Sequence, residues 1–150
     1  ARISRAHAAT WRARRDTGSS RQGAGAIERL SERACALPRS ARLQRREHFS
    51  AALADGETRV RRYFTLYVKP NGLSQARIGI IASRRVAPRA VDRNRMKRMV
   101  REVFRTLPQR PAGVDIVVQL RRCPPRGSGA VARTELARQL EELAARLRSN

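Results

Sequence analysis

Residues 93–105 read Arg-Asn-Arg-Met-Lys-Arg-Met-Val-Arg-Glu-Val-Phe-Arg, a run that combines an apolar helical face with a dense cationic face. At 100° per residue, one side of the predicted helix collects Met96, Met99, Val100, Val103 and Leu107. The opposite side collects Asn94, Lys97, Arg98, Arg101 and Arg105. We predict that the first face packs on a core and that the second faces an anion, because crowded guanidinium groups repel one another unless water or a polyanion neutralises them. A solvated amphipathic helix is the alternative.

The overall charge favours a polyanionic partner. The chain has 34 Lys and Arg against 12 Asp and Glu, which leaves a formal charge of +22 on 150 residues. Such a chain repels itself strongly unless a polyanion neutralises it, and nucleic acid is the leading candidate. An anionic membrane is disfavoured, because no stretch approaches the roughly 18 apolar residues of a spanning helix. The basic helix also lacks the bulky aromatic residues of an interfacial anchor.

The residues that carry catalysis or metal binding form no recognisable group. Cys35 and Cys123 lie far apart, and neither belongs to a Cys-x-x-Cys or Cys/His cluster. His7 and His48 also lack companions at ligand spacing. We therefore predict no zinc site, no disulfide framework and a reduced, cytoplasmic setting. No paired carboxylates stand beside a histidine and no nucleophile stands beside a base, so no catalytic residue or metal ligand is predicted in the protein.

The chain divides near Pro38. Residues 1–37 are rich in Arg, Ala, Ser and Gly with few large apolar side chains, which predicts a basic, disordered N-terminal extension. Residues 38–150 are patterned and long enough for one domain with a modest core.

The patterned region predicts a small α+β sandwich with helices laid on one sheet. A short helix over residues 43–56 ends at Gly56. Residues 60–69 alternate as a strand and lead into a hairpin connection at residues 70–72, followed by a strand over residues 77–83. Beyond the basic helix, residues 114–120 form another strand. A closing amphipathic helix follows from Leu136, Leu140, Leu143 and Leu147, which recur at helical spacing.

Six segments in a shared order carry a family resemblance. They are Pro38-Arg39-Ser40-Ala41-Arg42-Leu43 leading into Glu47-His48-Phe49, then Phe64-Thr65-Leu66-Tyr67-Val68, Arg77-Ile78-Gly79-Ile80, Ser83-Arg84-Arg85-Val86, the run from Arg93 to Glu102, and Gly113-Val114-Asp115-Ile116-Val117-Val118. Together they resemble the bacterial ribonuclease P protein subunit over residues 38–150. The resemblance implies a four-stranded sheet in the order αβββαβα with a left-handed βαβ crossover. Residues 60–81 are then expected to hold three strands or one long bent pair, where the pattern alone predicts two.

The resemblance also implies a function in which an RNA is the catalyst. The protein is expected to bind this RNA and the 5′ leader of precursor tRNA, and so to assist removal of the leader. Ribonuclease P RNA is then the expected catalytic cofactor and partner, precursor tRNA is the second partner, and Mg²⁺ is held mainly by the RNA. Two alternatives remain: a general basic RNA-binding protein of the ribosomal or nucleoid type, and a protein-only hydrolase that acts on RNA.

Site residues are carried over by the same resemblance. The leader is expected to contact Phe49 and Tyr67 by stacking, and to meet Ser83, Arg84 and Arg85 through its phosphates. The catalytic RNA is expected to contact Arg93, Asn94, Arg95, Lys97, Arg98 and Arg101.

Each assignment has a structural alternative. Phe49 is alternatively a core residue, and Arg84 and Arg85 a solvated loop. Asn94, together with Asp92, is alternatively a helix cap. Leu53 stands one helical turn after Phe49, where family members carry a second aromatic residue, so its role in leader binding is open. Glu102 is expected to order Arg98 and Arg105 rather than act as an acid or base.

Overall fold

The computed structural model of the chain describes residues 37–149. The predicted N-terminal extension therefore lies outside the described residues, apart from Leu37. That side chain is only 4% exposed and belongs to the main hydrophobic core. The folded region thus includes Leu37, one residue earlier than the predicted boundary.

The described residues form three α-helices and four β-strands in the order αβββαβα, which confirms the predicted fold class. The elements are α1 (Arg46–Asp55), β1 (Glu57–Val60), β2 (Phe64–Pro70), β3 (Arg77–Ile81), α2 (Ala90–Thr106), β4 (Val114–Leu120) and α3 (Gly129–Ser149). A single 3₁₀ turn, Arg39–Ala41, precedes α1. The described part of the chain contains no helix that is both long and apolar enough to cross a membrane.

The four strands form one mixed sheet in the order β1-β2-β4-β3. β2 is antiparallel to both β1 and β4, whereas β3 runs parallel to β4. The connection from β3 through α2 to β4 is therefore a βαβ crossover between neighbouring strands. Its left-handedness stays a prediction from the family resemblance.

One prediction for residues 60–81 is wrong, and the bounds of another are shifted. The turn after β2 is not a hairpin connection, because β4 lies between β2 and β3. Residues 70–72 reverse the chain, and Gly72 takes the left-handed conformation (φ +67°) that glycine tolerates best, but such a turn does not select a pairing partner. The third strand that the family resemblance implied is present as β1, but it spans Glu57–Val60 and so lies before residues 60–81 except for Val60. A tight turn separates it from β2, with the Arg61 N–H donating to the Phe64 carbonyl (2.9 Å).

The sheet is covered by helices on both faces. On one face, α2 and α3 enclose the main core, where Phe64, Leu66 and Phe104 are almost fully buried. The predicted packing face of α2 is confirmed, because Met96, Met99, Val100, Val103 and Leu107 are all buried. In α3, Leu136, Leu140 and Leu143 are fully buried and Leu147 is partly buried, as predicted. On the other face, α1 covers a smaller cluster built on Leu43, Ala52 and Val117.

A buried ion pair ties β3 to β4 beneath α1. The Arg77 guanidinium donates through Nη2 to Asp115 Oδ2 (2.6 Å) and through Nε to Oδ1 (2.8 Å). Asn71 Nδ2 also donates to Oδ1 (2.8 Å), so the turn after β2 is fastened to the same carboxylate. This forked geometry satisfies both oxygens of a carboxylate that is only 7% exposed.

Candidate nucleic-acid interface

Phe49 projects from α1 onto the sheet. A Cβ atom on Gly79 would lie 2.5 Å from Phe49 Cε1, so glycine at this position of β3 allows the ring to lie directly against the strand. The ring is half-buried and packs against the cluster that contains Leu43 and Val117. It also lines a cavity that opens to the surface. Phe49 therefore contributes to packing on one side and remains accessible on the other.

Tyr67 lies on the same face of the sheet. Its half-buried ring packs against the same cluster as Phe49, and its hydroxyl donates to Gln119 Oε1 on the neighbouring strand β4 (2.9 Å). The fold thus places the two predicted stacking residues on one surface. Leu53, one turn further along α1, is 40% exposed.

The cavity beside Phe49 is strongly cationic. It encloses about 300 Å³, and its floor includes residues 78–80 of β3. Lys97 and Arg101 line it from α2, and Arg39 and Arg42 line it from the segment before α1. Phe49 of the aromatic cleft and two cations of the basic helix therefore share one cavity.

The position of Arg39 and Arg42 in this cavity was not predicted from the sequence. Both belong to the first segment of the family resemblance, which was their only signal. No spacing rule brings a residue before α1 next to α2. The contact follows from the bridge between Arg42 and Ile78, which lays this segment alongside β3, next to the helix that follows it.

The positive charges of Arg42 and Arg101 lie close together in this cavity. Burial, and then the nearby positive charge of Arg42, lower the pKa of Arg101 below its usual value. The Arg42 Nε atom is buried and lacks a hydrogen-bond partner within residues 37–149. Partly desolvated like charges favour a bound anion, which relieves their repulsion and accepts their unused hydrogen bonds. A phosphate group has both properties.

The other predicted RNA-binding residues of α2, Asn94 and three arginines, lie outside this cavity. Asn94, Arg95 and Arg98 are exposed. Arg95 lies beside the start of α3, where its Nη2 is 4.0 Å from the position that a Cβ on Gly129 would take. Arg93 is half-buried, and its Nη1 donates to the carbonyls of Ala87 (2.9 Å) and Pro88 (2.6 Å). The loop before α2 thus engages part of the Arg93 guanidinium.

Asn94 does not cap the helix, so that alternative is wrong. Helix α2 begins at Ala90 and its N-cap is Arg89, with no side-chain cap hydrogen bond. Asn94 therefore lies in the second turn, too far along for its amide to reach the free N–H groups of the first. Asp92 forms an ion pair with Arg89 (3.6 Å).

Glu102 orders one of its two predicted arginines. Its carboxylate accepts from Arg105 Nη2 (2.6 Å) and Nε (3.2 Å). The hydrogen bond from Arg105 lowers the pKa of Glu102, so the group remains ionised. Arg98 forms no ion pair with Glu102 in the described structure.

The loop after β3 presents three exposed residues, Ser83, Arg84 and Arg85. The Val86 N–H donates to the Ser83 hydroxyl (3.3 Å), and the Ala87 N–H donates to the Ser83 carbonyl (3.0 Å). These bonds form a turn that leaves the hydroxyl proton free to donate. Ser83 follows β3, whose last residue, Ile81, is in register with Gln119. Strand β4 therefore lies between the strand that carries Tyr67 and the strand that leads to this loop.

Metal ligands are not gathered at this surface. Residues 37–149 contain no group of three or more His, Cys, Asp or Glu side chains that is arranged to hold a metal ion. The arrangement suits binding of a polyanion by cations and aromatic rings.

The fold and this cleft define a small basic α+β protein in which aromatic and cationic side chains meet on one face of a mixed sheet. The ribonuclease P family profile matches residues 37–148. The ribonuclease P protein component of Nitrosomonas europaea is 44% identical over 87 residues, covering 58% of this chain and 73% of that protein. The component from Ralstonia pickettii is 38% identical over 118 residues, covering 74% and 84%. The solved ribonuclease P protein from Thermotoga maritima has a TM-score of 0.57 at 31% identity, covering 67% of this chain and 96% of that structure.

The chain belongs to the bacterial ribonuclease P protein family. It is a subunit of ribonuclease P, the endoribonuclease that matures the 5′ end of tRNA, and family membership implies association with the ribonuclease P RNA.

Proposed function

We propose that residues 38–150 bind the catalytic RNA through α2 and hold the 5′ leader of precursor tRNA in the cleft between α1 and the sheet. The observation that carries this proposal is the shared cavity, where Phe49 meets Lys97, Arg101 and Arg42. Two polyanions repel each other when they approach, and cations between them reduce that repulsion. The protein thus contributes positioning and charge neutralisation, and the RNA contributes the chemistry.

The leader contacts follow from the chemistry of the surface. Phe49 and Tyr67 offer ring faces that stack on any base, which suits leaders of variable sequence. Ser83, Arg84 and Arg85 offer a hydroxyl and two guanidinium groups to leader phosphates. Arg42 and Arg101, crowded beside Phe49, are additional candidates for a phosphate contact.

The exposed residues of α2 are assigned to the catalytic RNA. Asn94, Arg95 and Arg98 are exposed, and Arg93 retains guanidinium nitrogens that the loop carbonyls do not occupy. Lys97 and Arg101 lie between these residues and the leader cleft, where they meet both polyanions.

Mg²⁺ is proposed to be held mainly by the RNA and its substrate, because phosphate oxygens and water are the ligands that Mg²⁺ prefers. We also place the protein in the cytoplasm, since its cysteines follow neither a disulfide nor a zinc-binding pattern. The extension over residues 1–37 remains a prediction from composition.

The protein alone is expected to cleave no precursor tRNA, but to lower the Mg²⁺ concentration at which its RNA partner cleaves. The reason is that side-chain cations replace part of the counterion charge needed to bring two RNAs together. Cleavage is measured across a Mg²⁺ titration with RNA alone, protein alone and both. A Lys97→Glu/Arg101→Glu variant should lose most of the shift. Metal-dependent cleavage by RNA-free protein would refute the proposal and favour a protein-only hydrolase.

A general basic RNA-binding protein is the second candidate, and the charge of +22 is the observation that favours it. One measurement distinguishes the two functions. It is the salt concentration at which a bacterial ribonuclease P RNA is most active in cleavage. A ribonuclease P subunit should shift this optimum at stoichiometric protein, whereas a general binder should have little effect at that ratio.

Lys97→Ala and Arg101→Ala are each expected to weaken binding to ribonuclease P RNA and to reduce the slope of log K against log salt by about one. Each change removes about one phosphate contact. Both side chains are half-buried, and neither forms a hydrogen bond or ion pair with any residue between 37 and 149, so the fold should survive. Affinity is measured from low to high salt, with circular dichroism to verify folding.

Arg148→Ala is the matched control, because Arg148 is exposed on the last turn of α3. It removes the same charge from a part of the chain outside the shared cavity, and it should leave the slope nearly unchanged. Equal slopes for Arg101→Ala and wild type would show that this face does not contact phosphate.

A further inference from the structure

Gln119 lies at the edge of the proposed leader surface, and no role has so far been given to it. Its Oε1 accepts the hydrogen bond from the Tyr67 hydroxyl (2.9 Å). In the sheet, Gln119 is opposite Thr65 and Tyr67 is opposite Val117, so Gln119 and Tyr67 are diagonal neighbours on adjacent strands. Such neighbours share one face of a sheet and are within reach of long side chains.

This face is the one that carries α1. Tyr67 packs with Phe49 and Val117 there, and Ile81, the register partner of Gln119 on β3, packs against the same cluster. Gln119 is half-buried. Its amide therefore lies between the Tyr67 ring and the end of β3 that leads to Ser83.

The hydrogen bond between Tyr67 and Gln119 restrains the Tyr67 ring, whose orientation is not fixed by packing alone. Tyr67 is only partly buried, so packing leaves its ring room to swing about the Cα–Cβ bond. A hydrogen bond to the hydroxyl opposes this swing, because the hydroxyl is the part of the side chain that moves furthest. A ring held in its stacking orientation before the ligand arrives loses less freedom on binding, which raises affinity.

We infer that Gln119 is a positioning residue of the leader site, which acts by holding the Tyr67 ring through its hydroxyl. The inference rests on the proposed stacking of leader bases on Tyr67. Gln119 need not touch the RNA. Replacement of Gln119 should weaken binding only when Tyr67 is present, and only for substrates that carry a leader.

A double-mutant cycle in the assembled enzyme tests this inference. The full-length protein is combined with ribonuclease P RNA, and the dissociation constants of precursor tRNA and mature tRNA are measured for Tyr67→Phe, Gln119→Leu and the double variant. Each single change should lower the preference for precursor about threefold to fivefold, the usual value of one neutral hydrogen bond. The double variant should be no worse than either single variant.

Gln109→Leu is the matched control, because Gln109 is exposed on the loop between α2 and β4. It makes the same chemical change away from the cleft and should leave the preference unchanged. Thermal unfolding of every variant is recorded beside binding. If Gln119→Leu fails to fold, Tyr67→Phe decides alone, because it removes the same bond from the other partner.

Additive losses in the double variant would overturn the inference, and so would an unchanged preference in Tyr67→Phe or in Gln119→Leu. Tyr67→Ala separates this failure from failure of the leader site itself. If Tyr67→Ala lowers the preference while Gln119→Leu has no effect, Tyr67 stacks without help from Gln119. If Tyr67→Ala also has no effect, the proposed stacking on Tyr67 is wrong.

Discussion

Phe49→Ala combined with Tyr67→Ala should reduce the preference of the assembled enzyme for precursor over mature tRNA by about tenfold or more. Each ring that stacks on a base contributes on the order of 1 kcal/mol, and mature tRNA has no leader to stack. The loss should therefore appear in precursor binding alone. The measurement is the ratio of the two dissociation constants with wild-type and variant holoenzyme.

Stability has to be measured on the same variants. Truncation of a fully buried aromatic ring costs about 3–5 kcal/mol, but both of these rings are half-buried, so their loss should cost clearly less. Val131→Ala is a suitable control, because Val131 is 56% exposed on α3, on the opposite face of the sheet. A double variant that retains full discrimination, or that unfolds, would remove the case for an aromatic leader site.

Asp115→Ala is expected to lower the free energy of unfolding by about 3 kcal/mol, the cost of leaving one partner of a buried ion pair without its counter-charge. Both oxygens of Asp115 bind Arg77, whose side chain is only 20% exposed. The variant also releases Asn71 and with it the turn after β2. Urea denaturation of the protein without RNA provides the measurement.

The control for this experiment is Asp55→Ala. Asp55 pairs with Lys69 at 2.9 Å, but the Asp55 side chain is 67% exposed. Exposed pairs contribute about 0–1 kcal/mol, so this change should have little effect. Similar losses in the two variants would contradict the importance of burial for the Arg77–Asp115 pair.

The same pair predicts a pH dependence of stability. Burial by itself raises the pKa of Asp115, but hydrogen bonds from Arg77 and Asn71 outweigh it, so the pKa lies below its ordinary value of 3.8. A carboxylate with a depressed pKa in the folded state stabilises the fold above its unfolded pKa, and this contribution is lost as the pH falls through the folded pKa. The stability of the wild type should therefore fall more steeply below about pH 4 than that of Asp115→Ala.

Elements with a strong local repeat were predictable from the sequence. The apolar face of α2 and the leucines of α3 follow the helical period, and their burial depends mainly on that period. Strand β4 was predicted with its observed bounds, because Val114–Leu120 is a short apolar run between turn signals. The pattern also predicted the first helix and the strands over residues 60–69 and 77–83. The family resemblance added the third strand before α2 and identified the residues proposed to contact RNA.

Properties that depend on distant partners were not predictable in this way. The residues of the turn at 70–72 predict a reversal of the chain, but they do not say that β4 will lie between β2 and β3. The residue pattern alone missed strand β1, because its four residues, Glu57–Val60, are largely exposed and lack an apolar alternation. Nor did the residues near the start of α2 reveal that the helix begins at Ala90, which excludes Asn94 as its cap.

By itself, the sequence determined the charge of the protein, the periodic faces of its helices and the family to which its motifs belong. Each of these depends only on composition or on residues that are close together in the chain. The tertiary structure alone decided that Arg42, Phe49 and Arg101 share one cavity and that the Tyr67 hydroxyl donates a hydrogen bond to Gln119. The physical reason is that these contacts join segments remote in sequence. Their positions are set by strand pairing and by which apolar surfaces are buried together, and both depend on the whole chain.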